Sequence, residues 1–312
     1  MNFSVTFLGT ASAKPVRDRN QSAQVLHVRE RFFLVDCGEG AQRQMAVSGI
    51  PMQRIDSVFI SHIHGDHVYG LPGLLSTLGM EGRSEPLNIY GPQNLGPLLK
   101  FFLSYYGTGI PYEVRFIPLK GSAPEVILET KSMVVVAIPL NHGIETYGFI
   151  FREKEPQWNV RKDRIAPYGL TLTEIGTLKR GEDVVRTDGT VLPLSDFAYK
   201  PFAPRSYAFC SDTAPFPEEA AFLEGVRFLY HEATFLSEYA DLAVQRFHST
   251  TLDAARLAAA IGAERLFVAH YSSRNRDPKA YEAECRTLFP ESYAVSDGDV
   301  ADFALDKFDP LC

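Results

Sequence analysis

The 312-residue sequence has no long hydrophobic run: nowhere do eighteen or more apolar residues follow one another. The first ten residues, MNFSVTFLGT, are typical of a β-strand and lack the basic-plus-apolar pattern of a signal peptide. Because a membrane-spanning helix needs about 20 apolar residues, the sequence predicts neither a transmembrane helix nor a targeting segment. The apolar fraction of 45% is enough for a substantial core in one large domain or two small ones.

Cysteine is scarce and widely spaced. The four cysteines show no Cys-x-x-Cys pair and stand at Cys37, Cys210, Cys285 and Cys312. This distribution is unlike the dense framework of a small disulfide-bonded domain. The sequence therefore predicts reduced thiols in a cytoplasmic protein.

Positive charge is not in excess. With 31 Lys and Arg against 38 Asp and Glu, the net charge is −7, which disfavours nonspecific nucleic-acid binding but allows a local basic surface. Residues 152–205 differ from the rest, because ten Lys and Arg there face eight Asp and Glu. On composition alone this segment is either a polar surface insert or an arm that carries positive charge to a polyanion.

The hydrophobic pattern predicts strands first, and then strands and helices mixed. Predicted strands cover residues 2–8, 24–29, 31–36, 57–61, 87–90, 133–140, 146–152, 207–209 and 265–270. Predicted helices cover residues 68–79, 94–105, 251–261 and 278–288. This order predicts an α+β fold in which sheets pack together and helices lie outside.

Histidine accounts for only eight residues, yet three of them and an aspartate lie within six positions of the stretch FISHIHGDHVYGLPGLL. These residues are His62, His64, Asp66 and His67, directly after a predicted strand. A loop at a strand end can turn consecutive side chains toward one point, and imidazole and carboxylate are ligands that zinc accepts. The alternative is a charged loop whose histidines have no shared role.

Three later residues of the same chemical type also follow β-like runs: His142, Asp212 and His270. Taken singly, each is more typical of a capping or solvated polar side chain. Their shared position at strand ends favours one metal site. An aspartate that bridges, Asp212, would allow two zinc ions roughly 3.5–4 Å apart.

The pattern H-x-H-x-D-H, followed by a distant His, Asp and His, resembles the metallo-β-lactamase superfamily. This resemblance covers nearly the whole chain and implies an αββα four-layer sandwich, a single domain over residues 1–312, with two metal ions at one edge of the sheets. The superfamily contains lactamases, thioester hydrolases, lactonases and nucleases. The ligand set alone therefore does not identify the substrate.

Further segments resemble ribonuclease Z, the endonuclease that removes the 3′ trailer of precursor tRNA. They are FLGTASAKPVRDRNQSA, VDCGEGAQRQM, HGDHVYGLPGLL, YHEATF, HST and HYSSR. The resemblance implies a zinc-dependent cut near the discriminator base that leaves a 3′-hydroxyl on the tRNA, and typically a homodimer. Two alternatives remain: a small-molecule phosphodiesterase or other hydrolase of this fold, and a non-catalytic RNA-binding or scaffold protein.

Within this resemblance, Asp66 is expected to bind metal and orient the attacking hydroxide. His248 is the expected proton donor, oriented and charged by Glu232. The alternative for His248 is an ordinary residue at a helix N-terminus, with Ser249 or Thr250 as the cap. His231 is expected to be structural, because neighbouring strand residues point to opposite faces.

The resemblance also implies which residues contact tRNA. The opening loop supplies Lys14, Arg17, Arg19 and Asn20, and the HST segment supplies Ser249 and Thr250. In the inserted arm, residues 152–205, the basic residues are Arg161, Lys162, Arg164, Lys179 and Arg180. The chain departs from the family pattern in having Arg17 where lysine is usual, Ala166 before Pro167 in place of glycine, and Ser211 in place of the glycine before Asp212.

Overall fold

Two large β-sheets form the centre of the fold. The computed structural model of the chain describes residues 2–275, 277–304 and 307–309, so Cys312 and its predicted thiol lie outside the described residues. The strands are β1 Phe3–Gly9, β2 Ala23–Val28, β3 Arg31–Val35, β4 Ile55–Phe59, β5 Leu87–Gly91, β6 Val114–Pro118, β7 Glu125–Glu129, β8 Met133–Pro139, β9 Tyr147–Glu153, β10 Asn159–Val160, β11 Val184–Val185, β12 Val191–Leu192, β13 Ala198–Tyr199, β14 Ser206–Cys210, β15 Phe228–Glu232, β16 Arg265–Ala269, β17 Ser292–Ala294, β18 Val300–Asp302 and β19 Lys307–Asp309.

The helices are mostly short. They are α1 Ala41–Val47, α2 Gly65–Val68, α3 Leu71–Met80, α4 Leu95–Tyr106, α5 Lys162–Ile165, α6 Leu172–Lys179, α7 Leu194–Phe197, α8 Glu219–Phe222, α9 Ala240–Arg246, α10 Thr251–Ala260 and α11 Pro278–Arg286, with 3₁₀ turns at Met52–Arg54 and Ser237–Tyr239. Among the described residues, no helix has the length and hydrophobicity that a membrane span requires.

The first sheet has the strand order β19-β18-β1-β2-β3-β4-β5-β6, and the second has the order β17-β16-β15-β14-β9-β8-β7. The inner faces of the two sheets meet through aromatic rings. Phe7 of β1 stacks on Tyr230 of β15 at 6.1 Å, and Phe59 of β4 lies 5.4 Å from Phe149 of β9. Such inward-facing side chains at alternate strand positions form the core of a sheet sandwich.

Helices cover the outer faces. The apolar residues of α1, α3 and α4 form one cluster with the first sheet, and α10 and α11 pack on β16. The four layers confirm the predicted αββα sandwich of the metallo-β-lactamase type. The predicted helix over residues 68–79 is divided between α2 and α3, which are separated by Tyr69 and Gly70. A Cβ atom at Gly70 would lie 2.2 Å from the carbonyl oxygen of Gly38, so only glycine allows the two backbones to approach.

The chain divides into two compact units. The first contains the two large sheets, and the second comprises residues 129–134 and 152–205. The second unit has its own small core, built from Leu170, Leu178, Val184, Leu192, Phe197 and Ala198. Its helix α6 begins with a capping box, in which Thr171 and Glu174 satisfy each other's backbone N–H groups.

Candidate active site

The candidate metal ligands lie where strands end. Four of them follow β4, with Asp66 and His67 on the first turn of α2. The other three follow strands of the second sheet: His142 after β8, Asp212 after β14 and His270 after β16. Because β14, β15 and β16 run parallel, their carboxyl ends lie at one edge of that sheet. The fold therefore brings all seven residues to one place.

The first group of ligand atoms belongs to His62, His64, His142 and Asp212. Nδ1 of His64 lies 3.1 Å from Nε2 of His62 and 3.4 Å from Nε2 of His142. Oδ2 of Asp212 lies 3.7 Å from Nε2 of His62 and 3.9 Å from Nε2 of His142. Three imidazole nitrogens and one carboxylate oxygen thus face a common point.

The second group belongs to Asp66, His67 and His270. Oδ2 of Asp66 lies 3.5 Å from Nε2 of His67 and 3.4 Å from Nε2 of His270. The other oxygen of Asp212, Oδ1, lies 3.6 Å and 3.3 Å from the same two nitrogens. Asp212 therefore turns one oxygen toward each group, as an aspartate that bridges two ions would.

Two polar atoms of this cluster have hydrogen-bonding capacity that the described residues do not satisfy. Within the described residues, Nε2 of His67 and Oδ1 of Asp212 are buried and have no hydrogen-bond partner. Leaving such an atom unsatisfied costs about 1–3 kcal/mol. Imidazole nitrogen and carboxylate oxygen are donors for a divalent metal. The residues present therefore fit a pair of divalent ions.

Hydrogen bonds behind the cluster orient the rings. Nδ1–H of His67 donates to the buried carboxylate of Asp36 at 2.7 Å, and Nδ1–H of His142 donates to the carbonyl oxygen of Phe247 at 2.8 Å. Nδ1 of His270 lies 2.9 Å from Oγ1 of Thr234. Each of these contacts leaves Nε2 free to act as a ligand. None of these three partners was assigned a role from the sequence, although Asp36 lies in the segment VDCGEG.

The serine that replaces the usual glycine before Asp212 joins this network. The hydroxyl of Ser211 donates to Oγ of Ser61 at 3.0 Å. Ser61 in turn donates to Asp36 at 3.0 Å and lies 3.0 Å from Nδ1 of His62. Burial lowers the pKa of His62 well below its ordinary value, and neighbouring histidines lower it further. His62 is therefore neutral, as a ligand must be.

His248 and Glu232 form a second functional pair beside the cluster. Nδ1 of His248 lies 2.8 Å from Oε1 of Glu232, a fully buried carboxylate. Burial alone would lower the pKa of His248, but the carboxylate of Glu232 raises it to about 9. Burial would likewise raise the pKa of Glu232, but His248 lowers it to about 2. The pair is therefore an imidazolium beside a carboxylate.

The Glu232 carboxylate also holds the backbone of the HST segment, residues 248–250, in place. The backbone N–H of Ser249 donates to Oε1 of Glu232 at 3.0 Å, and the Ser249 hydroxyl donates to the carbonyl of Thr213. Thr250 is the N-cap of α10 and shares a capping box with Asp253. Ser249 and Thr250, predicted to contact substrate, are both buried and engaged within the protein. His231 is buried as well, and it contacts Glu219 at 3.1 Å.

The opening loop touches the cluster through its backbone. The N–H of Ala13 donates to Oδ2 of Asp66 at 2.7 Å, and the exposed Lys14 lines the cleft. Asn20 instead donates to Asp297, through both its backbone N–H and its side-chain amide, at 2.6 and 2.8 Å. Arg19 lies over the ring of Tyr271 at 4.7 Å. Neither Asn20 nor Arg19 lines the cleft.

A cleft of about 730 Å³ opens over the histidine cluster. It is lined by Asp66, Asp212, His248 and His270. It is also lined by four residues to which sequence reasoning assigned no role: Tyr69, Arg246, Phe247 and Arg274. Arg17 does not line it, and the guanidinium side chain of Arg17 is 91% exposed. The remaining predicted tRNA contacts belong to the second unit: Arg161, Lys162, Arg164, Lys179 and Arg180.

Known proteins resemble this chain over nearly its whole length. The chain is 37% identical over 297 residues to a ribonuclease Z of Parabacteroides distasonis, which covers 95% of this chain and 98% of that protein. The chain belongs to the ribonuclease Z family. The ribonuclease Z of Porphyromonas gingivalis is also 37% identical, over 95% of this chain and 97% of its own length.

Solved structures agree with this membership of the ribonuclease Z family. The short form of human tRNase Z superposes with a TM-score of 0.70 at 26% identity, covering 96% of this chain and 98% of its own. The metallo-β-lactamase-fold protein YhfI of Bacillus subtilis gives a TM-score of 0.69 at 18% identity, over 97% of this chain and 100% of its own, which shows the fold. A family model described as anti-Pycsar protein Apyc1 matches residues 3–104.

Proposed function

We propose that this member of the ribonuclease Z family is a zinc-dependent endoribonuclease that removes the 3′ trailer from precursor tRNA. The cut would fall near the discriminator base and leave a 3′-hydroxyl on the tRNA. The observation that carries the proposal is the position of Asp212, with one oxygen toward each group of ligand atoms, beside the His248–Glu232 pair. Phosphodiester hydrolysis needs both features, because charge must be neutralised on the phosphate and a proton supplied to the leaving oxygen.

The metal centre would be held by His62, His64, Asp66, His67, His142, Asp212 and His270. Two zinc ions bound there would lower the pKa of the attacking water and act as Lewis acids toward the phosphate. Asp66 is suited to orient that water. Its carboxylate lines the cleft and is held by the N–H of Ala13, and His67 and His270 keep its pKa below the usual range despite the burial that would raise it.

His248 is suited to protonate the leaving 3′ oxygen of the tRNA. Its Nδ1 is occupied by Glu232, so Nε2 remains for the proton transfer. Because the pKa of His248 is raised to about 9, the ring carries a proton at neutral pH. Glu232 would act through His248, by orienting the ring and stabilising its charge.

The second unit supplies the proposed tRNA-binding arm, residues 152–205. Its basic residues Arg161, Lys162, Arg164, Lys179 and Arg180 have the charge to contact phosphates. Lys14, Arg17, Arg19 and Asn20 are the proposed contacts of the opening loop, and the engagement of Asn20 with Asp297 favours a positioning role for that residue. We further propose a homodimer in the cytoplasm, where the buried thiols of Cys37, Cys210 and Cys285 stay reduced.

The test is cleavage of an end-labelled precursor tRNA that lacks an encoded CCA. Purified protein is assayed with zinc and after chelation, alongside the His248→Ala and Asp66→Ala variants. Metal-dependent cleavage next to the discriminator base, lost in both variants, supports the proposal. Glu264→Gln is the control, since Glu264 is a partly exposed partner of Arg227 away from the cleft.

Deletion of residues 152–205 separates tRNA processing from hydrolysis of small substrates. The deletion should abolish tRNA cleavage and spare a small phosphodiester. Efficient hydrolysis of that small ester by a zinc-loaded protein that leaves precursor tRNA intact would make the alternative, a small-molecule phosphodiesterase, the better assignment. Light scattering tests the dimer: a stable monomer that still processes tRNA contradicts it.

A further inference from the structure

Tyr69 is an aromatic side chain left open beside the histidine cluster. It follows α2, two residues after His67, and it lines the cleft with 69% of its surface exposed. The ring lies against Gly65, where a Cβ atom would be 2.2 Å from two ring carbons. Because residue 65 is glycine, there is room for the Tyr69 ring against the backbone between His64 and Asp66. A large exposed ring held next to a polar centre has no role in the core.

Phe247 is a second open aromatic side chain at the same cleft, on a different element. It ends α9, lines the cleft and is 46% exposed. Its backbone is left-handed, with φ of 56°, a conformation that bulky residues rarely adopt. The carbonyl oxygen of Phe247 accepts the Nδ1–H of His142, and His248 follows directly. Strain of this kind is retained where the surrounding site requires it.

Exposed cations surround the same opening. Lys14, Arg246 and Arg274 line the cleft, and all three are exposed. Within residues 2–275 and 277–304, none of the three forms an ion pair with an acidic side chain, in contrast to Arg227 and Arg256 elsewhere. The cleft thus combines open aromatic rings with three cations that form no ion pair within those residues.

We propose that Tyr69 and Phe247 are stacking platforms for the two bases that flank the scissile phosphate, and that Arg246 and Arg274 join Lys14 in binding the adjacent phosphates. Aromatic rings interleaved with cations are the recognition chemistry of single-stranded nucleic acid. Stacking tolerates any base, so these rings suit a cleavage point at which trailer sequences vary. The inference rests on the proposed function, because it assumes that the cleft receives an RNA strand.

The matched variants are Tyr69→Leu and Phe247→Leu, which keep apolar bulk and remove the aromatic face. Tyr105→Leu is the control, because Tyr105 is also 69% exposed but lies on α4, outside the cleft. Loss of one stacked base should lower kcat/KM on precursor tRNA by roughly 5- to 150-fold. The control variant should retain the wild-type value.

An abasic substrate separates stacking from a structural role. Two precursor tRNAs are made, one without the discriminator base and one without the first trailer base. For each aromatic residue, removal of the base that it stacks on should lower the kcat/KM of the wild type as much as the leucine substitution does. On that abasic substrate, the leucine variant should have the same kcat/KM as the wild type. Equal losses on intact and abasic substrates would mean that the ring acts only through the fold, and would overturn the proposal.

A binding assay keeps this result distinct from failure of the proposed function. A short single-stranded RNA with 2-aminopurine is titrated with His248→Ala protein, so that the RNA is not cut. Stacking on an aromatic ring quenches the 2-aminopurine fluorescence. Combining His248→Ala with Tyr69→Leu or with Phe247→Leu should reduce the quenching, whereas combining it with Tyr105→Leu should not. If wild type leaves precursor tRNA uncut, the proposed function fails and the quenching alone decides the inference. Unchanged quenching in both leucine variants refutes it.

Discussion

Replacing Glu232 by glutamine should alter catalysis in a way that depends on pH. Glu232 holds the pKa of His248 at about 9, and the Glu232→Gln substitution keeps the shape but removes the charge. Without the carboxylate, the pKa of His248 should return toward its ordinary value of about 6.5. A proton donor is active below its pKa, so wild-type activity should persist up to about pH 9, whereas the variant should lose activity above about pH 6.5.

The size of the effect follows from the two pKa values. At pH 8 about 90% of wild-type His248 carries its proton, against about 3% in Glu232→Gln, which predicts roughly a 30-fold deficit in kcat. At pH 6 His248 is mostly protonated in both enzymes, and the deficit in kcat should be less than about twofold. Bound metal cations would lower the pKa of His248 in the wild type and in Glu232→Gln alike. The difference between the two enzymes is therefore the quantity to measure.

Single-turnover cleavage of precursor tRNA between pH 6 and pH 9 provides the assay, because it reports the chemical step without product release. The Glu264→Gln variant should follow the wild-type profile, since Glu264 pairs with Arg227 and not with His248. A deficit of the same size at every pH would refute the reasoning. It would mean that Glu232 matters for the geometry of the HST segment and not for the charge of His248.

Three further predictions concern the ligands and the second unit. Asp36→Asn removes the carboxylate behind His67 and should weaken metal binding by 10- to 100-fold, measured by competition with a chelator. Asp212→Ala should lower the metal content from two equivalents to one or fewer, measured by elemental analysis of the purified protein. Arg205→Met leaves the buried carboxylate of Glu153 without its bidentate partner and should destabilise the protein by about 3–5 kcal/mol in urea unfolding.

Each of these predictions has a contrary outcome. Chelator competition equal to wild type in Asp36→Asn would show that the carboxylate does not orient His67. Two metal equivalents in Asp212→Ala would exclude a bridging aspartate. For Arg205→Met, the matched control is Arg256→Ala, which breaks an exposed pair with Asp253 and should cost at most about 1 kcal/mol. Equal losses in both variants would show that burial of the Arg205 pair is unimportant.

The sequence predicts the layout of the fold and the composition of the metal site, because both depend on local patterns. A cluster such as His62 to His67 is visible in a single stretch, and the strand that precedes it has a clear apolar pattern. His142, Asp212 and His270 are visible only as polar residues at strand ends, and the resemblance to a known family joins them. The structure then brings all seven together, while their roles as ligands remain proposals.

The partners of those residues are not visible in the sequence, since they depend on tertiary contacts. The carbonyl oxygen of Phe247 meets His142 across 105 positions of chain, and backbone groups carry no residue signature. Asp36 is separated from His67 by 31 positions. For Asn20 the resemblance implied a contact with tRNA, which stays a prediction, and its hydrogen bond to Asp297 was not visible in the sequence. The small elements of residues 152–205 are too short to give a periodic pattern.

The wide separation of the ligand-bearing strands along the chain has a consequence for protein synthesis. His270 follows β16, which lies between β15 and β17 in the second sheet, so the last of the seven side chains is added when most of the chain has already been made. A chain that has been translated only as far as β15 therefore lacks one of the seven proposed ligands. If the proposed metal centre needs all seven side chains, cleavage activity can begin only after β16 has been made and has joined the second sheet.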